Sequence, residues 1–572
     1  MCVIIYSGER NVGMKKKHII KVVSLMLLMS MTASVLLTGC KGNGNDKKNE
    51  ESTMDSSKYK ENEYKTSVLQ YNTLPDVSVH DPSIFKDPAT GKYYVFGSHL
   101  AQASSDDMIS WKYLGVQGYS NQSIYGKLEE GLAGSFEWAG YDDSDCKGGY
   151  AVWAPEIIYN EHYVWEDGSK GAYMLYYSAS STYCRSCIGY AVSKNVEEGY
   201  KYVDTVIYSG FTSVEAYDEK STHNKHVENT NVYEVYGTTN VSDLRASYFS
   251  NNGSGYNTSQ FPNAIDPSIF FDEEGKLWMT YGSWSGGIWI IELDPATGQA
   301  IHNYENNDDK NNFTDKYFGK RIAYGNGVSG EGPYIRYNSE TGYYYLFATI
   351  GWLGVDGGYN MRMFRSENPD GPYMDAKDRQ ATNMAGKDNA SVGVKVMGGY
   401  SFPSLNTGYL SPGHNSFIFD GDKSLLIYHT RFENRGEAHQ MRVHQMLMNK
   451  EGWLCTLPFQ YKGETASESG YTGEEIAGVY HFLDHTADTI TTAVKPVEYY
   501  LDANGNVSKM KKPEVALGIW SVEEGTNYIT MKIGTKEYSG VVCRMEDEAG
   551  NSVMTISAIT EKNNSLWAVK YE

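Results

Sequence analysis

The chain is short of positive charge. Its 572 residues carry 50 Lys and Arg against 71 Asp and Glu, for a formal net charge of −21. Phosphate recognition needs a basic surface, so a nucleic-acid partner is excluded. Cysteine is scarce as well: seven in all, with Cys2 and Cys40 in the first forty residues and Cys146, Cys455 and Cys543 widely scattered. Cys184 and Cys187 have the spacing of a zinc knuckle or a redox pair, but no second pair follows. A structural zinc therefore lacks its ligands, which leaves a local disulfide or two free thiols. Beyond residue 40 there is no apolar run long enough to cross a bilayer and no long helical periodicity.

What the chain does have is aromatics and turns. There are 48 Tyr, 11 Trp and 58 Gly, a mix that predicts an all-β protein with flat, hydroxylated partners such as sugars. At the amino terminus Lys15, Lys16, Lys17 and Lys21 precede an apolar stretch from Val22 to Leu37, ending in Thr38, Gly39 and Cys40. A basic region, an apolar region and small residues before a cleavage point read as a secretory signal. Cysteine directly after Leu-Thr-Gly resembles the bacterial lipobox, which implies cleavage before Cys40, a lipid on its thiol and a place at the cell surface. Met14, just before the lysines, is an alternative start. Residues 1–40 are thus read as the lipoprotein signal and 41–75, polar and charged, as a flexible tether. The lipid is the one expected membrane contact, and a monomer is the expected state.

Organisation comes from a repeat. Asp81-Pro82-Ser83-Ile84-Phe85 recurs unchanged as Asp266-Pro267-Ser268-Ile269-Phe270, each followed by an acidic turn and an aromatic strand. Weaker echoes start at Ala154-Pro155-Glu156, Gly332-Pro333-Tyr334 and His414-Asn415-Ser416. Five hairpin units with a polar residue at the start of each predict a five-bladed β-propeller over 76–462. The first strand of every blade lines the axis of such a fold, so Asp81, Glu156, Asp266, Glu331 and His414 should converge there. Short strands at Val203–Tyr208 and Asn231–Tyr236 are expected within a polar insertion. After a Gly, Ser and Glu linker, residues 463–572 alternate as a small β-barrel or sandwich.

A ring of acids suits glycoside cleavage, which needs one carboxyl group to protonate the leaving oxygen and another to act on the opposite face of the sugar. The motifs His80-Asp81-Pro82, Trp153-Ala154-Pro155-Glu156, Asn263-Ala264-Ile265-Asp266-Pro267, Ser329-Gly330-Glu331-Gly332-Pro333 and Ser411-Pro412-Gly413-His414-Asn415 resemble glycoside hydrolase family 43. Within it they are most similar to the extracellular endo-α-1,5-L-arabinanases. The resemblance implies an inverting enzyme on arabinan and pectin side-chain oligosaccharides. It implies Asp81 as general base, Glu331 as general acid and Asp266 as the carboxylate that tunes that acid. It also implies that His414 holds a calcium ion whose other ligands are mostly water, and that Asn263, Ala264, Ile265, Ser283, Trp284 and Ser285 line the cleft. Glu156 and Trp153 are further substrate-binding candidates. The span from Asp81 to Asp266 is long for the family, so segments 118–150 and 203–260 are read as insertions that wall the cleft. Rival readings are an exo-acting arabinofuranosidase, a xylan-directed hydrolase, and a non-catalytic glycan-binding lipoprotein.

Overall fold

The computed structural model describes residues 63–67, 77–115, 124, 126–127, 131–140, 151–219, 221–383 and 390–572. The signal, Cys40 and most of the tether expected from the sequence lie outside the described residues, as does much of segment 118–150.

Five antiparallel sheets form the blades, each opening on the strand predicted to be innermost: Ser83–Lys86, Val152–Val164, Ser268–Phe271, Glu331–Asn338 and Tyr409–Asp420. Neighbouring innermost strands touch in chain order and the last meets the first, so the ring closes. Closure also draws in the start of the described body, where Val77 accepts a hydrogen bond from Met441 in blade five. Each innermost strand is paired on one side only, and ring closure leaves its inner edge short and covered by the neighbouring blades.

At or just before every innermost strand the backbone enters the left-handed region: Asp81 (φ 53°), Ala154 (35°), Asp266 (60°), Gly332 (58°) and His414 (45°), with Ser411 (48°) a second such point in the fifth. Pairing registers shift beside three of these positions, the bulge pattern that re-aims a side chain. In four of the five the next residue is proline, which brings no N–H to be orphaned where the ladder breaks. Such a conformation costs a non-glycine residue about 1–3 kcal/mol, and it recurs where the polar side chains meet on the axis. Gly332 is a glycine for a second reason: a Cβ there would stand 3.0 Å from the His414 ring.

The chain ends in a closed eight-stranded barrel running from Gly478–His485 to Ser565–Tyr571, which resolves barrel against sandwich. Its interior is packed with side chains including Tyr480, Phe482, Trp520, Met531 and Ile556. The barrel is hydrogen-bonded onto the propeller: Trp567 Nε1 donates to the Thr456 carbonyl (2.6 Å), and the Lys395 N–H donates to the Asn563 carbonyl (2.9 Å).

One expectation is corrected and one open alternative is decided. Asn231–Tyr236 is not a strand. Val232–Tyr236 forms a helical turn closed by Gly237 in the left-handed conformation, whose N–H bonds back to Glu234. Five alternating residues with no strand beside them have nothing to pair with, and the glycine cap decides the outcome. Of the two possibilities open for Cys184 and Cys187, free thiols hold: they form no disulfide and both are buried. Their side chains part company, Cys184 Sγ lying 3.3 Å from Ser285 Oγ and Cys187 Sγ 3.3 Å from the Ser135 carbonyl.

Candidate active site

The five kinked positions surround a cavity of about 20 Å³ on the axis, lined by residues that include Asp81, Glu156, Asp266, Gly332, His414 and Asn415. That is room for about one water-sized occupant. The structure thus brings Asp81, Asp266 and His414 together, with Glu331 one residue before its kink and so closer to solvent than either aspartate.

Asp81 is almost wholly engaged. Its Oδ2 faces His80 Nδ1 at 2.8 Å and accepts from Ser98 Oγ, while Oδ1 faces His414 Nδ1 at 3.1 Å. Two carboxylate oxygens have about four lone-pair directions, so these contacts leave one on Oδ1. Burial works against ionisation, but the imidazoles of His414, His80 and His429 outweigh it and hold Asp81 well below the usual carboxylate range. An ionised carboxylate with one open lone pair is what a general base needs. Its strained backbone is pinned too, because Asp81 N–H donates to His429 Nδ1 (3.1 Å). Behind it runs a chain of contacts: Glu437 accepts from Arg431 (2.7 Å), and Arg431 lies 3.4 Å from His80 Nε2. His429 and Arg431 belong to no motif and were invisible in the sequence. They lie on the Lys423–Phe432 strand, buried throughout from Leu425 on, so no alternation singles them out.

Glu331 sits in a cradle. Oε2 accepts from Ser283 Oγ (3.0 Å) and Trp284 Nε1 (2.9 Å), and Oε1 accepts from Tyr359 Oη. Asp266 accepts from the Gly332 N–H (3.1 Å), one residue beyond Glu331. Burial pushes Asp266 up to about 7; the His414 imidazole opposes this, and the nearby Glu331 and Asp81 charges add to it. Near neutral pH Asp266 is therefore poised between its protonated and ionised forms.

Other expected residues fall differently. Glu156 is 1 % exposed and does not face the cleft. It pairs with Arg336 (2.8 Å) and accepts from Tyr334 Oη (3.2 Å) and Ser83 Oγ, so it ties three blades together below the site. Ala264 and Ser285 are sealed from solvent, which removes their side chains from the cleft lining. Asn263 and Ser283 are 5 % exposed, and Asn263 Oδ1 is a buried acceptor without a protein partner. Ile265, Trp284 and Trp153 are partly exposed, Trp153 packing edge-on to His99 at 4.8 Å. His80, from the first motif, proves to be a hydrogen-bonding partner of Asp81.

The axial cavity suits a cation. The Asp81 and Asp266 carboxylates and the His414 imidazole line it, and both polar atoms of the buried Asn415 carboxamide lack partners. The surrounding acids raise the His414 pKa against the effect of burial, so the site draws positive charge. Carboxylate and carboxamide oxygens suit calcium better than the imidazole does.

Comparison with known proteins fits this geometry. The family model for glycosyl hydrolases family 43 matches residues 237–454, and that for a C-terminal lipocalin-like domain matches 458–568. The extracellular endo-α-(1→5)-L-arabinanase of Thermotoga petrophila is 35 % identical over 86 % of this chain and 94 % of its own. Extracellular endo-α-(1→5)-L-arabinanase 2 of Bacillus subtilis is also 35 % identical, over 86 % of this chain and 93 % of its own. The crystal structure of the Thermotoga petrophila endo-1,5-α-L-arabinanase with TRIS superimposes with a TM-score of 0.71 at 34 % identity, covering 88 % of this chain and all of that one. Two-domain architecture, axial acids and relatives matched over nearly their whole length agree: the chain belongs to glycosyl hydrolases family 43.

Proposed function

We propose that the protein hydrolyses internal α-1,5 links of arabinan by inversion. The observation that carries this reading is the pairing of one ionised, fully positioned carboxylate, Asp81, with a second, Glu331, cradled by three donors across the same axis. The open lone pair of Asp81 takes a proton from water as that water attacks the anomeric carbon. Glu331 gives its proton to the departing sugar oxygen, and Asp266, where it is ionised, disfavours loss of that proton by like-charge repulsion. The relatives, endo-α-(1→5)-L-arabinanases, support arabinan as the substrate class and the endo mode. Debranched linear arabinan given to the residue 41–572 protein should yield a ladder of short oligosaccharides from the earliest times. Arabinose alone from the outset would replace this reading with an exo-acting one, and no product at all would turn to the xylan-directed reading first and then to the binding lipoprotein.

His414 and the Asn415 carboxamide, with Asp81 and Asp266, would hold calcium on the axis. The ion would supply positive charge against the clustered carboxylates. Prolonged EDTA treatment is expected to lower activity and melting temperature together, with recovery on adding calcium. Unchanged values for both would remove the ion from the proposal.

The relatives are named as extracellular proteins, and the signal at residues 1–40 agrees with export. Leu37-Thr38-Gly39-Cys40 supports lipid anchoring at the surface of the cell.

A further inference from the structure

Most aromatic side chains in this protein are buried, but Tyr183 is 60 % exposed. It sits in the tight turn joining strands Lys170–Thr182 and Arg185–Ser193 of blade two. A bare hairpin tip would let such a ring swing freely. Here every neighbour is tied down. Tyr183 Oη lies 2.7 Å from Ser285 Oγ, in the Ser283–Ser285 turn that also supplies Ser283 and Trp284 to Glu331. Cys184 Sγ contacts the same hydroxyl at 3.3 Å, and the Cys184 carbonyl accepts from Ser209 Oγ (2.8 Å).

The polar insertion fastens the other side. Asp218 accepts from Thr182 Oγ1 (2.7 Å), pairs with Arg185 (3.1 Å) and binds Lys225 (2.7 Å). Arg185, 1 % exposed, also donates to Ser221 Oγ (2.8 Å) and to the Ala139 carbonyl (2.9 Å). The result is a rigid aromatic ring, open to solvent, anchored through a hydroxyl one residue away from the indole that holds the acid. Fixing a ring in advance removes the entropy that a ligand would otherwise spend in ordering it.

We infer that Tyr183 is a sugar-stacking platform on the acid side of the cleft, held ready by the Asp218 latch, and that it binds a furanose unit of chains longer than the minimal substrate. This deepens the arabinanase reading and rests on it. The assignment makes the 209–226 part of the insertion a determinant of chain-length preference rather than a passive wall.

The test uses binding, on a background that cannot turn over. Glu331→Gln protein is titrated with linear arabinohexaose and arabinobiose, alone and combined with Tyr183→Ala, Tyr183→Leu or Tyr183→Phe. Loss of the ring is expected to weaken hexaose binding about 10-fold, the scale of one aromatic contact, and biose binding much less. Phe, which keeps the ring but loses the hydroxyl that anchors it to Ser285, should restore part of the difference. Tyr183→Leu, which keeps bulk without a π-face, should behave as Ala does. Equal hexaose affinity in all four proteins, at unchanged melting temperature, overturns the platform, and so does an equal loss for both sugars. Failure of Glu331→Gln protein itself to bind arabinohexaose, while it remains folded, would instead count against the arabinan reading.

Discussion

Glu331→Gln is expected to lower turnover of linear arabinan by about 100- to 10,000-fold, the usual weight of a general acid, with the melting temperature almost unchanged. The amide is nearly isosteric. Its oxygen can still accept from Ser283 and Trp284, and its NH₂ can face Tyr359 Oη, so the cradle survives while the transferable proton is gone. Initial rates on debranched arabinan and calorimetric melting check the two halves separately. Activity close to that of the parent would move the acid to Asp266, whose pKa of about 7 makes it the rival proton carrier.

Asp81→Asn is expected to cost a similar factor, about 100- to 10,000-fold, for the opposite reason: it removes the acceptor for the water proton. Asparagine is the appropriate replacement because Asp81 has φ 53°, a conformation that Asn tolerates better than most residues. The carboxamide must turn its NH₂ toward either His414 or the His80–Ser98 pair, each of which now donates to a carboxylate, so a moderate fall in melting temperature accompanies the kinetic loss. Because the two carboxyl groups act in one step, the double variant should be little worse than the weaker single one. Losses that simply multiply would mean that the two residues work independently, contrary to a concerted displacement. Near-normal turnover by Asp81→Asn would assign the base elsewhere on the axis.

Much of this site could be read before any coordinates. The duplicated Asp-Pro-Ser-Ile-Phe element announced a repeat, and the polar residue at the start of each unit marked the place where the strand meets the axis. Acids at kinks of successive blades must meet at the axis because a propeller has only one. That logic located Asp81, Asp266 and His414, and it located Glu331 once the fourth kink was assigned to the following glycine. The same logic misread Glu156. By sequence it is one more acid at a blade start, but it stands two residues past the kink at Ala154 and points below the site toward Arg336. Ala264 and Ser285 sit in cleft-forming turns, yet their side chains face inward, which a motif does not reveal.

The residues missed altogether share a cause. His429 and Arg431 support Asp81 across nearly 350 positions of chain, and Asp218 latches a hairpin more than 30 residues away. No local pattern encodes such contacts, because they depend on how blades and insertion pack rather than on spacing along a strand.

Sequence alone therefore determined the all-β class, the five-blade repeat, the trailing β domain and the acidic axis, since each is written in local periodicity and in residues that bend a strand. Tertiary structure decided which acids face solvent, that the tail closes as a barrel, that Val232–Tyr236 is helical and the two neighbouring cysteines stay apart, and that Tyr183 is held open beside the acid. Those outcomes turn on burial and on partners distant in the chain, where the free energy of packing outweighs any local preference.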